Sequence, residues 1–130
     1  MKGSELVSEI LRFFQLVETT AKVADEEINR CDQEYNDLTH AAELLALNAV
    51  EMSQLMKEIR VNRKKRRVSK NTKEQMTPIL EVLQKNQGLI NALKVAKGKI
   101  ESVERTQEVR VYTPRVRTEM TAAFEKQHKA

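Results

Sequence analysis

An apolar stripe in the first half of the sequence restricts the fold more than any other feature. Its members are Leu6, Ile10, Phe13, Val17, Ala21, Ala24, Ile28, Cys31, Tyr35, Leu38, Ala42, Leu45, Ala49, Met52, Met56 and Ile59. The steps between them alternate between four and three residues, except for two consecutive four-residue steps after Phe13 that resemble a coiled-coil stutter. An apolar repeat of about seven heptads predicts a helix buried along one seam. Residues 1–59 are therefore predicted as a long, acidic, amphipathic helical region.

The composition favours helices throughout the chain. It has 3 Gly, 2 Pro and no Trp, with only 3 Phe and 2 Tyr, so few residues interrupt helices and few favour sheets. We predict an all-α fold, a single domain over residues 1–130 that forms an elongated helical bundle of three to four coiled-coil-like helices.

Residues 36–39 leave the continuity of the first helix open. The apolar stripe keeps its phase there, which favours one continuous helix. Asn36, Asp37 and Thr39 are weak helix formers and good capping residues, which favours a corner. Between these alternatives we favour a break near 36–39.

A second amphipathic helix is predicted over residues 77–108, packed antiparallel on the first stripe. Thr77 and Pro78 suit a helix start, because Thr is a good N-cap and Pro fits the first turn. Asn86 interrupts the apolar positions of this helix. It either fixes the register through an amide partner or marks a weak point beside Gln87 and Gly88. The stripe comprises Ile79, Val82, Asn86, Leu89, Leu93, Ala96, Ile100 and Val103.

Residues 109–130 are predicted as a basic connector followed by a short helix. Alternating Val and Arg from Val109, followed by Pro114, indicate an extended connector. A final helix over about 114–126 would present Val116, Met120 and Phe124 on one face.

Self-association is expected from the unequal lengths of the two stripes. The first stripe is longer than the second can cover, so its remainder would face water unless another copy packs on it. We therefore expect a homo-oligomer. The residues predicted for its seam are Ile28, Leu38, Leu45, Met52, Met56, Ile59 and Asn86.

Residues 60–73, the basic segment, carry the strongest charge contrast in the chain. The segment has 8 Lys or Arg and no acidic residue, although the net charge of the whole chain is only +4. In a continuous helix, Arg60, Arg63, Lys64 and Arg67 share one face. Because the apolar stripe becomes charged here, we expect the segment to project from the bundle or to form an exposed end. The candidate face for a polyanion or a partner comprises Arg60, Arg63, Lys64, Arg66, Arg67 and Lys70, with Arg110, Arg115 and Arg117 from the C-terminal region.

Several roles fit a basic segment of this kind. Contacts to phosphates would give salt-sensitive, sequence-nonspecific nucleic-acid binding, although the segment lacks the aromatic residues that stack on bases. Alternatively, acidic residues of the preceding helix, in the same chain or in a second copy, cover part of the cationic face. Short matches to a nuclear localisation signal and a basophilic kinase site matter only in a eukaryotic cell.

No arrangement of residues specifies a reaction. His40 and His128 have no Cys or carboxylate neighbours at metal-ligand spacing, and Cys31 lies on the apolar stripe, where we predict a core residue. We predict no catalytic residues, no metal site and no cofactor. A single Cys, a start unlike a signal peptide and the absence of an apolar run of about 18–20 residues predict a cytoplasmic protein without a membrane partner.

A further pattern extends from residue 36 to residue 115. It comprises Asn36-Asp37-Leu38-Thr39-His40, Glu43, Lys57-Glu58-Ile59-Arg60, Arg63, Arg66-Arg67, Lys70, Glu74, Pro78, Tyr112 and Pro114-Arg115. In these residues the chain resembles small helical proteins of phages and prophages of Gram-positive bacteria, a family without an established activity. The helix before Asn36 is longer than in that family. The resemblance implies a protein made in the host cytoplasm that binds host or phage macromolecules.

These observations predict a non-enzymatic helical interaction module, an accessory or regulatory protein of the phage type. A host or phage protein is slightly favoured as its partner. The alternative is a nucleic acid, bound through its backbone by the basic segment.

Overall fold

The computed structural model describes residues 1–129 and has an all-α fold, which confirms the predicted fold class. Helices cover 88% of this range, and no strand occurs in it. The α-helices are α1 (Gly3–Leu44), α2 (Ala49–Lys85), α3 (Gln87–Val109) and α4 (Thr121–Lys129), with a short 3-10 helix at Thr118–Met120. Ala130, the last residue of the predicted C-terminal region, lies outside the described residues.

The chain divides into two units, which we name by their composition. The hairpin unit comprises Leu11–Gln87, and the terminal unit combines Met1–Ile10 with the chain from Gly88 onward. Helix α1 contributes its first turns to the terminal unit and the remainder to the hairpin unit.

The predicted break near 36–39 is wrong, because α1 continues through these residues to Leu44. Asn36 and Asp37 are exposed, so they lose little by being helical, while Leu38 is half-buried and keeps the stripe in phase. The Thr39 hydroxyl donates a hydrogen bond to the Asn36 carbonyl at 3.0 Å. Packing of the apolar face therefore overrides the weak helix propensity of this stretch.

The chain instead reverses at residues 45–48, so the predicted stripe from Leu6 to Ile59 does not lie on one helix. The turn ends at Asn48, whose side-chain Oδ1 accepts a hydrogen bond from the Glu51 amide at 2.8 Å and thereby caps α2. The first stripe thus packs against the helix that follows it directly, and the basic segment belongs to that helix.

The seam of the hairpin unit combines small residues of α1 with a stripe of α2 that differs from the predicted one. On α1, Ala21, Ala24 and Cys31 are buried, as the predicted stripe requires. On α2, Leu55 is buried and Met56 is exposed, although the prediction placed Met56 in the stripe. The turn at 45–48 breaks the helical phase, so the α2 stripe is offset by about one residue from the predicted one. Its buried or half-buried members are Leu55, Ile59, Asn62, Arg66, Ser69, Met76, Leu80 and Leu83.

The predicted start of the second helix at Thr77-Pro78 is also wrong, because α2 runs through Pro78 to Lys85. Pro78 cannot donate a backbone hydrogen bond, which normally disfavours a helix interior. Half-buried Leu80 and buried Leu83 follow it on the seam side of α2, and their packing holds the helix beyond the proline. The predicted 77–108 region is interrupted at Asn86, the C-cap of α2, where a weak point was one of the two alternatives.

In the terminal unit, the first turn of α1 lies against α3. A Cβ atom on Gly3 would stand 3.1 Å from Cγ2 of Ile100, so a larger residue there would require a shift. Ser4 donates from its backbone amide and its hydroxyl to the Glu104 carboxylate, at 3.1 and 2.8 Å. These hydrogen bonds, the backbone one foremost, lower the pKa of Glu104. Glu104 thus supplies a hydrogen-bond acceptor for a backbone amide in the first turn of α1, where intrahelical partners are missing.

The C-terminal helix begins later than predicted. Residues 110–117 are not helical, and α4 starts only at Thr121. Val116 was predicted on the apolar face of the final helix, but it lies before that helix and is 89% exposed. Phe124 instead meets the Tyr112 ring edge-on, with ring centroids 5.1 Å apart. The aromatic contact joins the connector to α4, and Pro114 of the connector is buried. A short helix is marginally stable by itself, so these contacts stabilise the C-terminal region more than a longer α4 would.

The offset of the α2 stripe can be tested with two neighbouring residues. Leu55 is 7% exposed and Met56 is 65% exposed. We expect Leu55→Ala to lower the free energy of unfolding by about 2–3 kcal/mol, since it removes buried methyl groups from the seam. The control Met56→Ala should change it by less than about 0.5 kcal/mol. Urea unfolding followed by circular dichroism measures both, and a larger effect at Met56 would restore the predicted stripe.

Candidate interaction surfaces

A buried amide lies at the centre of the hairpin seam. Asn62 is fully buried, and its Nδ2 donates to the Cys31 carbonyl and to Oε1 of Glu34, each at 2.9 Å. Its Oδ1 accepts from Nε and Nη2 of Arg63 at 3.0 and 2.7 Å. Every polar atom of this side chain therefore has a partner, and the two hydrogen bonds to α1 form only in one register of the two helices.

Two arginines of the basic segment turn toward α1. Arg66 Nε donates to Oδ1 of Asp32 at 2.8 Å, and Arg63 Nη2 lies 3.5 Å from the same oxygen. The Arg63 guanidinium also stands over the Tyr35 ring, 4.0 Å from its centroid. Farther along the hairpin, Lys73 pairs with Asp25.

The expectation that the basic segment projects from the bundle or forms an exposed end is therefore wrong, because the segment lies within α2 and packs on α1. The alternative that acidic residues of the preceding helix cover part of the cationic face agrees with these contacts. Arg63 does not lie with Arg60 on a single exposed face, because its guanidinium is held between Tyr35, Asn62 and the Cys31 carbonyl. The long aliphatic stems of Arg63 and Arg66 pack in the seam, while their charged groups reach carboxylates at its edge.

Three cations of the segment remain directed away from α1, and we call them the outer cation face. Arg60, Lys64 and Arg67 are exposed on successive turns, and within residues 1–129 none of them forms an ion pair. Met56 continues this face one turn toward the start of α2 and is exposed as well. The outer cation face thus combines positive charge with a flexible apolar side chain. Lys70, which was predicted for the same surface, is half-buried and is not part of this face.

The three predicted cations of the C-terminal region lie in the terminal unit. Arg110, Arg115 and Arg117 are all exposed. Arg117 Nε donates to Oε1 of Glu119 at 2.8 Å, and this bond lowers the pKa of the Glu119 carboxyl. They belong to the connector, and the hairpin unit does not include them.

The predicted oligomer seam is divided by the structure. Ile28, Leu38 and Ile59 are half-buried inside the hairpin unit. Leu45, Met52 and Met56 are exposed, so a role for them in an oligomer stays a prediction. Asn86 caps α2 and donates from Nδ2 to the Val82 carbonyl at 2.8 Å.

Cys31 is a core residue, as predicted, with 4% of its surface exposed. Burial raises the pKa of its thiol, and the Glu27 carboxylate, 3.7 Å from the sulfur, acts in the same direction. Glu27 itself accepts a short hydrogen bond from Arg30, which lowers the pKa of this carboxyl. The thiol is therefore held in its neutral, less nucleophilic form.

Sequence reasoning missed Asn62, Asp25 and Asp32. A signal for Asn62 was present, because it follows Leu55 and Ile59 at four- and three-residue steps. No local signal predicts that Asp32 pairs with Arg66 and Asp25 with Lys73, because both pairs depend on the chain reversal at residues 45–48.

The described residues contain no group of three or more His, Cys, Asp or Glu side chains placed to hold a metal ion. Within the same range, no helix has both the length and the apolar character needed to cross a membrane.

Comparison with known proteins adds no relative. No protein-family model, curated protein or solved structure shows significant similarity to the chain.

The role of the buried amide can be tested by Asn62→Ala, with Asn71→Ala as the control. Removing the Asn62 amide takes away its hydrogen bonds with the Cys31 carbonyl, Glu34 and Arg63 in the seam, so we expect a loss of about 1–3 kcal/mol in unfolding free energy. Asn71 is exposed on the same helix, and alanine there should be neutral or slightly stabilising. Chemical denaturation compares the two, and equal effects would show that the amide contributes nothing beyond helix propensity.

The state of Cys31 can be tested by thiol labelling. At neutral pH we expect an aromatic disulfide reagent to react at least about tenfold more slowly with the folded protein than with the urea-unfolded protein, because the thiol is buried and its pKa is raised. The single Cys makes the unfolded chain its own reference. Equal rates in the two states would mean that the thiol is open to solvent.

Proposed function

We propose that this chain is a non-enzymatic helical interaction module that binds an acidic surface of a protein through the outer cation face. One observation carries the proposal: Arg60, Lys64 and Arg67 are exposed on one face of α2 without a counter-ion in the described structure, while Arg63, Arg66 and Lys73 are paired with α1. Unpaired charges on a rigid helix attract a partner of opposite sign and fix its orientation.

The exposed Met56 beside these cations favours a protein partner over a nucleic acid. Methionine adapts to irregular apolar surfaces and is common in protein-binding faces, whereas a phosphate backbone offers it no apolar partner. The resemblance of residues 36–115 to phage and prophage proteins supports a host or phage protein as the partner. It also supports a bacterial cytoplasm as the compartment.

Sequence-nonspecific nucleic-acid binding is the second candidate function, and the spacing of the outer cations supports it. Arg60, Lys64 and Arg67 extend along about 10 Å of the helix, a geometry that can follow a phosphate backbone. Pairing of Arg63 and Arg66 with Asp32 reduces the number of cations free for phosphates. A contribution of only about three contacts is expected if a nucleic acid binds there.

The test compares two triple variants with equal changes of charge. The first carries Arg60→Gln, Lys64→Gln and Arg67→Gln, and the second carries Arg110→Gln, Arg115→Gln and Arg117→Gln. Each is used for affinity purification from the native cells after nuclease treatment. We expect the first variant to lose a protein that both the wild type and the second variant retain, since only the first removes the outer cation face. Helicity should persist in the first variant, because Gln forms helices nearly as well as Arg.

Duplex DNA binding measured against salt distinguishes the second candidate. If the outer cations contact phosphates, the first variant should flatten the dependence of log affinity on log salt by about three units. If the wild type binds DNA no more tightly than about 10⁻⁴ to 10⁻⁶ M, nucleic-acid binding is only that of any basic patch. Retention of every protein partner by the first variant would contradict the proposed protein-binding face.

A further inference from the structure

A groove runs along one flank of the hairpin unit, on a side that the outer cation face does not occupy. Four open cavities follow one another there, with volumes of about 700, 420, 260 and 420 Å³ from the turn at 45–48 onward. Neighbouring cavities share lining residues: Lys57 belongs to the first and second, Glu34 to the second and third, and Glu27 to the third and fourth. The cavities therefore form one continuous groove between α1 and α2.

The two ends of this groove are apolar. Leu38 and Leu45 line it near the turn, and Val23 lines the opposite end. Leu16 lies one heptad before Val23 on the same face of α1, beyond the last of the four cavities. Leu16 and Val23 are 56% and 57% exposed, and Leu45, directly after the end of α1, is 58% exposed, so large aliphatic side chains meet water at both apolar ends.

The middle of the groove is charged but electrically balanced. Glu27 and Glu34 face Arg30 and Lys65 around the third cavity. Two carboxylates and two cations leave no net charge to repel a second copy of the same surface. The outer cation face differs in this respect, because its charges would oppose self-association.

The four aliphatic positions Leu16, Val23, Leu38 and Leu45 are spaced symmetrically along the chain. Leu16 and Leu45 lie at equal numbers of residues from a point between residues 30 and 31, and Val23 and Leu38 do so as well. In an antiparallel pair of α1 helices, each apolar end therefore meets the opposite apolar end of the other copy. In this arrangement Glu27 of one copy approaches Glu34 of the other. Arg30 lies one turn from the same Glu34, and its positive charge offsets the repulsion between the two carboxylates. A two-fold interface requires such self-complementarity.

From this self-complementarity we infer that the groove binds a second copy of this chain, with the two α1 helices packed antiparallel around residues 30–31. Each α1 fills the groove between α1 and α2 of the other copy. Of the residues predicted for an oligomer seam, Leu38 and Leu45 belong to this interface, whereas Met56 lies outside it.

Sedimentation equilibrium of the full chain tests the interface. The wild type should be a dimer at micromolar concentration. The double variant Leu16→Glu with Val23→Glu should weaken the dimer about a hundredfold or more, because it places charges in a buried apolar contact. The matched control is Met56→Glu with Val82→Glu, which changes two exposed apolar residues of the same unit outside the groove. It should leave the dimer intact.

Disulfide cross-linking tests the orientation. Thr20 and Ala41 lie at equal distances from the centre of the α1 pattern, and they are introduced as Thr20→Cys and Ala41→Cys in separate chains that also carry Cys31→Ser. In an equal mixture of the two chains, the disulfide between position 20 of one copy and position 41 of the other should form faster than the 20–20 or 41–41 disulfide.

A monomeric wild type, or a dimer unaffected by the charged groove variant, would overturn the proposal. Faster formation of the symmetric disulfides would overturn the antiparallel arrangement. Circular dichroism of each variant separates loss of association from loss of folding.

Discussion

The antiparallel pairing of an acidic helix with a basic one is the interaction on which the hairpin unit depends. Asp25 and Asp32 are one heptad apart on α1, as are Arg66 and Lys73 on α2, so a single register satisfies both pairs. Exposed ion pairs contribute little stability by themselves. Their value here is specificity, because a slip of the helices would separate these charges and leave the Asn62 amide buried without its partners on α1.

This pairing also divides the basic residues between the helix seam and the exposed surface. Cations on the seam side of α2 are used to hold α1, while Arg60, Lys64 and Arg67 remain directed outward. Counting charges along the sequence therefore overstates the positive surface that a partner meets. The face that remains is narrower, and in the proposed function its exposed methionine favours a protein partner.

The seam itself is thin, and this has consequences for the rest of the surface. Ala21, Ala24 and Cys31 are small, so α1 and α2 can approach closely, but their burial removes little apolar area from water. Larger aliphatic residues such as Leu16 and Val23 are left outside the seam along the flank groove. In the proposed dimer, these residues would supply the buried area that the small seam residues cannot.

The sequence by itself determined the helical class, the α1 stripe from Ala21 to Leu38 and the core position of Cys31, because these depend on composition and local periodicity. Tertiary structure alone decided where the chain reverses. The turn at 45–48 carries only Asn48 as a local signal, whereas residues 36–39 and Pro78 carry stronger signals that packing overrides. That reversal selected the α2 stripe and brought Asp32 to Arg66. Which cations face α1 and which face solvent is a long-range property, since it depends on the rotation of one helix against another, and local propensity does not encode that rotation.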